Sequence, residues 1–252
     1  MTVFRFKRFQ VQNDLSAMKI NTDGVLLGAW CSVFPDDKNV LDIGTGTGVV
    51  ALIVAQRLSE AKRGLPFCGS LSQDDSIIGI DIDDLSVQEA GLNFKNSPWK
   101  DNLRAEHCAL GDFPSWKADL VVSNPPYFES ETRSPSVRRK QARSTDTMSF
   151  REVLSYSQAN LSDNGRVAMI LPADYGKAVL FDASDKGLYL NRITFVSSRR
   201  GKPFSRVLTE FSLHRRPLVR EEMYITEEDG KYSEEYIKKT SELYFTNPEA
   251  QN

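Results

Sequence analysis

The chain has 252 residues and a mass of 28.4 kDa, with 40% hydrophobic and 26% charged residues, the balance of a soluble globular protein. Its longest clean apolar run, Val49–Ala55, is far shorter than the roughly 20 residues of a membrane helix, and the opening MTVFRFKRFQ lacks the apolar core of a secretory leader. Cys31, Cys68 and Cys108 are odd in number, widely spaced and without a C-x-x-C pair, which argues against a disulfide framework and against a zinc site. A cytoplasmic, metal-free monomer is the expectation.

Residues 1–30 precede the first strand pattern. Asn39–Ile43 is a short apolar run that meets a glycine cluster, and Val49–Leu58 reads as a helix. Lys62–Ser76 is irregular and reads as an insertion. Ile77–Ile80 is a second buried strand, and Leu85–Asn96 has helical periodicity with Asp83 or Asp84 as its cap. Leu103–Cys108 and Asp119–Ser123 are the third and fourth strands. A long polar, basic loop over 129–147 follows, then a helix over Phe150–Leu161 and a strand over Gly165–Leu171. A helix over Asp174–Asp185 precedes two β-segments, Leu188–Val196 and Arg206–His214, with Tyr232–Tyr244 as a terminal helix. Strands alternating with helices predict an α/β fold with an open, mostly parallel sheet and an antiparallel edge. One domain is expected over 1–252: a covering segment at 1–30, a core at 31–216 and an acidic strand/helix extension at 217–252.

The net charge of −2 hides an uneven distribution. Residues 221–252 hold nine acids and three bases, a net −6, so the rest of the chain is basic. Its bases come in groups: Arg5, Lys7 and Arg8; Arg133, Arg138, Arg139, Lys140 and Arg143; Arg192, Arg199, Arg200, Lys202 and Arg206; Arg215, Arg216 and Arg220. Such groups are either phosphate footprints or solvated loops.

Asp42-Ile43-Gly44-Thr45-Gly46-Thr47-Gly48 follows a strand and opens a helix, where glycine lets the backbone turn tightly and approach a ligand. The spacing is not the G-x-G-x-x-G of a nicotinamide dinucleotide site. Asp42 would repel a pyrophosphate and suits a cationic ligand, and S-adenosylmethionine, with a sulfonium and an ammonium, meets that requirement. Asp81 ends the second strand and is expected on the ribose hydroxyls, with Asp83 as helix cap. Asp112 could accept from an adenine amine and Phe113 could pack on the ring, or Asp112 is a turn residue.

The fourth strand runs into Asn124-Pro125-Pro126-Tyr127, with Phe128 next. Two prolines fix two φ angles and make a stiff segment at the sheet's binding edge. The Asn124 side-chain oxygen and the Pro125 carbonyl can accept from one planar –NH2 group while Tyr127 stacks on its ring. Holding both N–H bonds favours a pyramidal nitrogen whose lone pair points at the sulfonium methyl. The tetrapeptide with the glycine loop and the acidic second strand therefore predicts methylation of an amine. Neither His107 nor His214 lies in a motif that needs an imidazole.

These motifs resemble amino-methyltransferases. Phe4–Phe9, Ala17–Ile20, Thr22–Trp30 and Asn124–Phe128 resemble the bacterial tRNA1(Val) (adenine(37)-N6)-methyltransferase family from about residue 4 to the terminal helix. The resemblance implies a Rossmann-like class I methyltransferase fold with a seven-stranded, mostly parallel sheet and an antiparallel edge strand. It also implies methylation of adenine 37 in a tRNA. Thr22 and Asp23 would lie over the methionine end of the cofactor, although they read equally as a helix cap. An RNA substrate gives Pro126 and Phe128 a place beside the base, and Arg133, Arg138, Arg139, Lys140, Arg143, Arg199 and Lys202 a place on phosphates. The insertion and the acidic tail depart from the family pattern. Three other readings stay open: a protein glutamine-N5 methyltransferase, a ribosomal RNA guanine-N2 methyltransferase, and an RNA-binding protein without turnover.

Overall fold

A computed structural model describes residues 2–63, 71–126 and 149–244. The chain begins with an antiparallel hairpin, β1 (Val3–Arg5) and β2 (Gln10–Gln12), and helix α1 (Thr22–Trp30). The alternating core follows: β3 (Asn39–Ile43), α2 (Val49–Ala61), β4 (Ser76–Asp81), α3 (Asp84–Lys95), β5 (Leu103–His107) and β6 (Ala118–Ser123). Then come α4 (Phe150–Asn160), β7 (Leu161–Pro172), α5 (Gly176–Asp185), β8 (Tyr189–Arg199), β9 (Arg206–Ser212), β10 (Val219–Thr226) and α6 (Glu234–Thr240).

Eight strands form one sheet in the order β10-β8-β9-β7-β6-β3-β4-β5. The five strands from β7 to β5 are parallel, β9 runs antiparallel between β7 and β8, and β10 pairs parallel with β8. The α/β class holds, but β10 adds an eighth strand and the antiparallel strand is interior. The sequence reading expected strand and helix in the 217–252 extension but gave the strand no bounds, because VREEMYIT is charged and only Met223 in it is buried. Such a composition suits an exposed sheet edge, which charge protects from further pairing.

Both faces of the sheet are covered, as strands that carry apolar residues in succession require. Val40, Ile77 and Leu120 face α1, α2 and the buried side of α3, while Leu41, Ile78 and Val121 face α4 and α5. Gly28 sits where α1 crosses α2; a Cβ there would stand 2.9 Å from Ile53 Cβ. Trp30 is 1% exposed, donates from Nε1 to Thr194 Oγ1 at 2.8 Å and lies under the Arg192 guanidinium, so α1 is bolted to β8.

The aromatic opening of the chain is structural. Phe6 stacks on Phe9 at 4.5 Å and on Tyr244 at 5.7 Å between ring centroids. Lys7 donates its amide to Leu243 O and its Nζ to Ser241 O. The two ends of the described chain are thereby joined on the α2 side of the sheet. No helix among the described residues is long and apolar enough to cross a membrane.

Candidate active site

Strand order reverses at β3: the chain steps to β4 and β5 on one side and to β6 and β7 on the other. The crevice beyond the carboxyl ends of β3 and β6 is where open α/β sheets bind ligands. Both sequence motifs meet there. Gly44 and Gly46 have φ of 72° and 54°, a left-handed turn that a side chain would strain. Gly48, at φ 80°, starts α2, and a Cβ on it would lie 2.5 Å from Phe94 Cε1, so this glycine serves packing. Ser123 Oγ donates to Ile43 O at 2.9 Å and ties the end of β6 to the end of β3 directly before Asn124.

The cavity between them is lined by Gly44, Gly46, Asn124 and Pro126, by Asp81 and Asp83, by Ile80, Ile82, Cys108 and Leu110, and by Ala17 and Met18. Among the described residues, two carboxylates and no Lys, Arg or His line it. Such a wall favours a cationic ligand and disfavours a phosphate. Asp81 accepts from Gly46 N at 2.9 Å with one oxygen and from Asp83 N at 3.0 Å with the other, which points its carboxylate along the cavity rim. Asp83 caps α3, accepting from Ser86 N at 3.0 Å and from Ser86 Oγ at 2.6 Å. Pro125 is buried and Pro126 exposed.

Several expected ligand contacts fall elsewhere. Asp42 is 1% exposed and does not line the cavity. Its Oδ2 accepts from Thr45 Oγ1 at 2.8 Å and from Ala51 N at 3.2 Å, so it braces the glycine turn from below. Burial pushes its carboxyl up to about 7, against the lowering effect of those two hydrogen bonds. The negative wall is supplied by Asp81 and Asp83 instead. Phe113 packs into the core, edge-on to Trp116 at 6.5 Å and tilted on Tyr156 at 6.1 Å. Asp112 is exposed in the turn after Leu110 and lies off the cavity lining. Ile82 and Leu110 occupy the walls expected of Phe113.

Asp23 forms an ion pair with Arg206 at 2.7 Å and does not line the cavity, and Thr22 is exposed on a separate cleft beside Tyr232 and Tyr236. The cap of α1 is neither of them: Asn21 Oδ1 accepts from Gly24 N at 2.9 Å. Ala17 and Met18 line the cavity in their place. Their sequence signal was a methionine in a polar stretch, and that of Ile82 an apolar residue between two aspartates.

The basic group over 192–206 is largely spoken for. Arg192 pairs with Glu221 at 2.8 Å, Arg200 with Glu227 at 2.5 Å and Glu235 at 3.2 Å, and Arg206 with Asp23. Arg199 donates to Glu228 O, and Lys202 is exposed. Part of the acidic tail is thus the counter-charge of this group. Tyr127, Phe128, Arg133, Arg138, Arg139, Lys140 and Arg143 lie outside the described residues. A larger cavity, of about 780 Å³ against about 160 Å³, lies between the β1–β2 hairpin and the end of α3. Two of its three bases are engaged, Lys7 with Ser241 O and Arg8 with Glu60.

A reversed strand order, a glycine turn and a carboxylate at the end of β4 mark a nucleoside-binding α/β sheet, and the family and relatives that match make it a class I methyltransferase. A methyltransferase-domain family model matches residues 35–193. The structure aligns with that of a predicted O-methyltransferase from Agrobacterium tumefaciens, with a TM-score of 0.63 over 90% of this chain and 100% of that one, at 14% identity. The chain is 37% identical over 248 residues to the tRNA1(Val) (adenine(37)-N6)-methyltransferase of Bacteroides fragilis, covering 96% of this chain and 97% of the relative. It is 35% identical to that of Flavobacterium psychrophilum, covering 96% and 99%, and 34% identical to that of Photorhabdus laumondii, covering 96% and 94%. The chain belongs to the tRNA1(Val) (adenine(37)-N6)-methyltransferase family.

Proposed function

We propose that the protein transfers a methyl group from S-adenosylmethionine to the N6 amine of adenine 37 in the anticodon loop of a tRNA. The observation that carries this reading is the convergence of Asn124 with Gly44, Gly46 and Asp81 on one cavity that no Lys, Arg or His among the described residues lines. The donor supplies a methyl group on a positive sulfur. Asp81 holds its ribose hydroxyls, Ile82 and Leu110 sandwich its adenine, and the Gly44–Gly46 turn admits its methionine part. The Asn124 side-chain oxygen and the Pro125 carbonyl accept from the two N–H bonds of the target amine. That grip turns the nitrogen lone pair toward the methyl carbon; the N–C bond forms as the C–S bond breaks, its electrons stay on sulfur, and the nitrogen releases a proton to water. Tyr127 stacks on the splayed base, a contact worth ~1–3 kcal/mol. Exposed Lys202 and Arg199 and the basic 129–147 segment hold phosphates.

Asn124→Ala tests the assignment. Cofactor affinity, measured calorimetrically with S-adenosylhomocysteine, is expected to stay within twofold, while turnover on tRNA falls roughly 10²-fold, the scale of a misplaced reactant. Collapse of cofactor affinity with turnover preserved at saturating donor would assign Asn124 to the cofactor instead.

A further inference from the structure

Glu89 lies on α3, is 1% exposed and has no place in the methyl-transfer chemistry. Its carboxylate accepts three consecutive backbone N–H groups from the N-terminal segment: Asp14 at 2.5 Å and Leu15 at 2.8 Å on Oε1, and Ser16 at 2.8 Å on Oε2. A carboxylate taking three amides from one tight turn is a charge-assisted grip on a segment with no regular structure of its own. Two further contacts fix the same segment. Ser16 Oγ lies 2.9 Å from Ser86 Oγ and donates to Met18 O at 3.1 Å. The next two residues, Ala17 and Met18, form the cavity wall facing the glycine turn. A Cβ built on Gly46 would meet Ser16 Oγ at 3.6 Å and Met18 O at 3.8 Å, so the segment lies in contact range over that turn.

We infer that Glu89 is a positioning residue: it clamps residues 14–18 as a strap over the Gly44–Gly46 end of the cofactor cavity and thereby sets cofactor affinity and residence time. The inference rests on the reading of that cavity as the S-adenosylmethionine site. Leu15 and Met18 add little burial, at 43% and 42% exposed, whereas Ser16 is 1% exposed. The strap's position therefore depends on the backbone bonds to Glu89 together with the contact of the Ser16 hydroxyl with Ser86. The clamp acts at the glycine-turn end of the cavity, so its loss should change how the donor is held and not how fast a bound donor reacts.

Glu89→Gln keeps the shape of the side chain and turns one acceptor into a donor that faces an N–H group. The expected result is a rise of about tenfold in the Kd for S-adenosylhomocysteine and in the KM for S-adenosylmethionine, the scale of one weakened hydrogen bond to a charged group. Turnover at saturating donor should stay within about twofold. Amide hydrogen exchange at residues 14–18 should accelerate while that of β3 and β6 does not. Leu15→Pro, which deletes one of the three donors at an exposed position and leaves α3 untouched, should give the same split and covers the case in which the buried variant fails to fold. Accelerated exchange in the strap with unchanged cofactor affinity would overturn the inference, as would unchanged exchange. If the unaltered protein bound no S-adenosylhomocysteine, the cavity assignment itself would fall, and with it the clamp's proposed role.

Discussion

Asp42 shows how one residue's role turns on which way it faces. Strand side chains alternate, and Val40 on β3 packs with the cluster beneath α2, so Asp42 shares that face and lies under the first turn of the helix. There its carboxylate accepts from Ala51 N and Thr45 Oγ1 and stiffens the loop that lines the cavity with Gly44 and Gly46. Because burial raises the folded pKa to about 7 from 3.8, the native state binds more protons than the unfolded chain between those values. Stability from this group is therefore full below the unfolded pKa and is lost as pH rises through about 7. The loss is on the order of a few kcal/mol, because each pH unit between the unfolded and folded values is worth ~1.4 kcal/mol. Denaturant titrations of the ligand-free chain from about pH 5 to about pH 8 should show this decline, and Asp42→Asn, which keeps a carbonyl acceptor for both donors, should flatten it. An equal slope in the variant would remove Asp42 as the cause.

At the scale of elements, the glycine turn divides its labour. Gly48→Ala combines a left-handed φ with a Cβ 2.5 Å from a buried phenylalanine ring, whereas Gly46→Ala meets nothing closer than 3.6 Å. The first should cost about 2–4 kcal/mol by strain and overpacking together and lower Tm by about 2–4 °C per kcal/mol. The second should cost about 1–2 kcal/mol in stability and weaken S-adenosylhomocysteine binding more than Gly48→Ala does; thermal melts with and without ligand separate the two. Strands β3, β4, β6, β7 and β9 were legible because each carries a buried apolar run, whereas only Leu103 is buried in β5. The β1–β2 hairpin was not legible, and the strand expected in the acidic extension had no legible bounds, since three-residue strands and a charged edge strand have no periodicity to read. The ends of the site were legible in the same way: Gly44, Gly46, Asp81 and Asn124 follow strands, and a strand's end fixes where a residue lies. Phe113 and Asp23 were misplaced because their partners, Tyr156 and Arg206, are distant in sequence and nothing local announces them.

Over the whole molecule, charge is sorted by sheet edge. Arg199 and Lys202 follow the carboxyl end of β8, on the same edge as Asn124, while Arg215 and Arg216 follow the far end of β9 on the opposite edge. Binding of tRNA should therefore fall steeply with salt, and Lys202→Ala should weaken it and reduce the slope of log affinity against log salt by about one. Arg216→Ala should change neither, and filter-binding titrations across ionic strength distinguish the two variants. The pairing of Arg192, Arg200 and Arg206 with Glu221, Glu227, Glu235 and Asp23 leaves this edge less basic than its composition suggests. Incubation with methyl-labelled S-adenosylmethionine and unmodified tRNA, with a release-factor protein in parallel, followed by nuclease digestion, should place label in N6-methyladenosine at position 37 of the tRNA. Label in a glutamine side chain of the protein, or in a guanine, would contradict it.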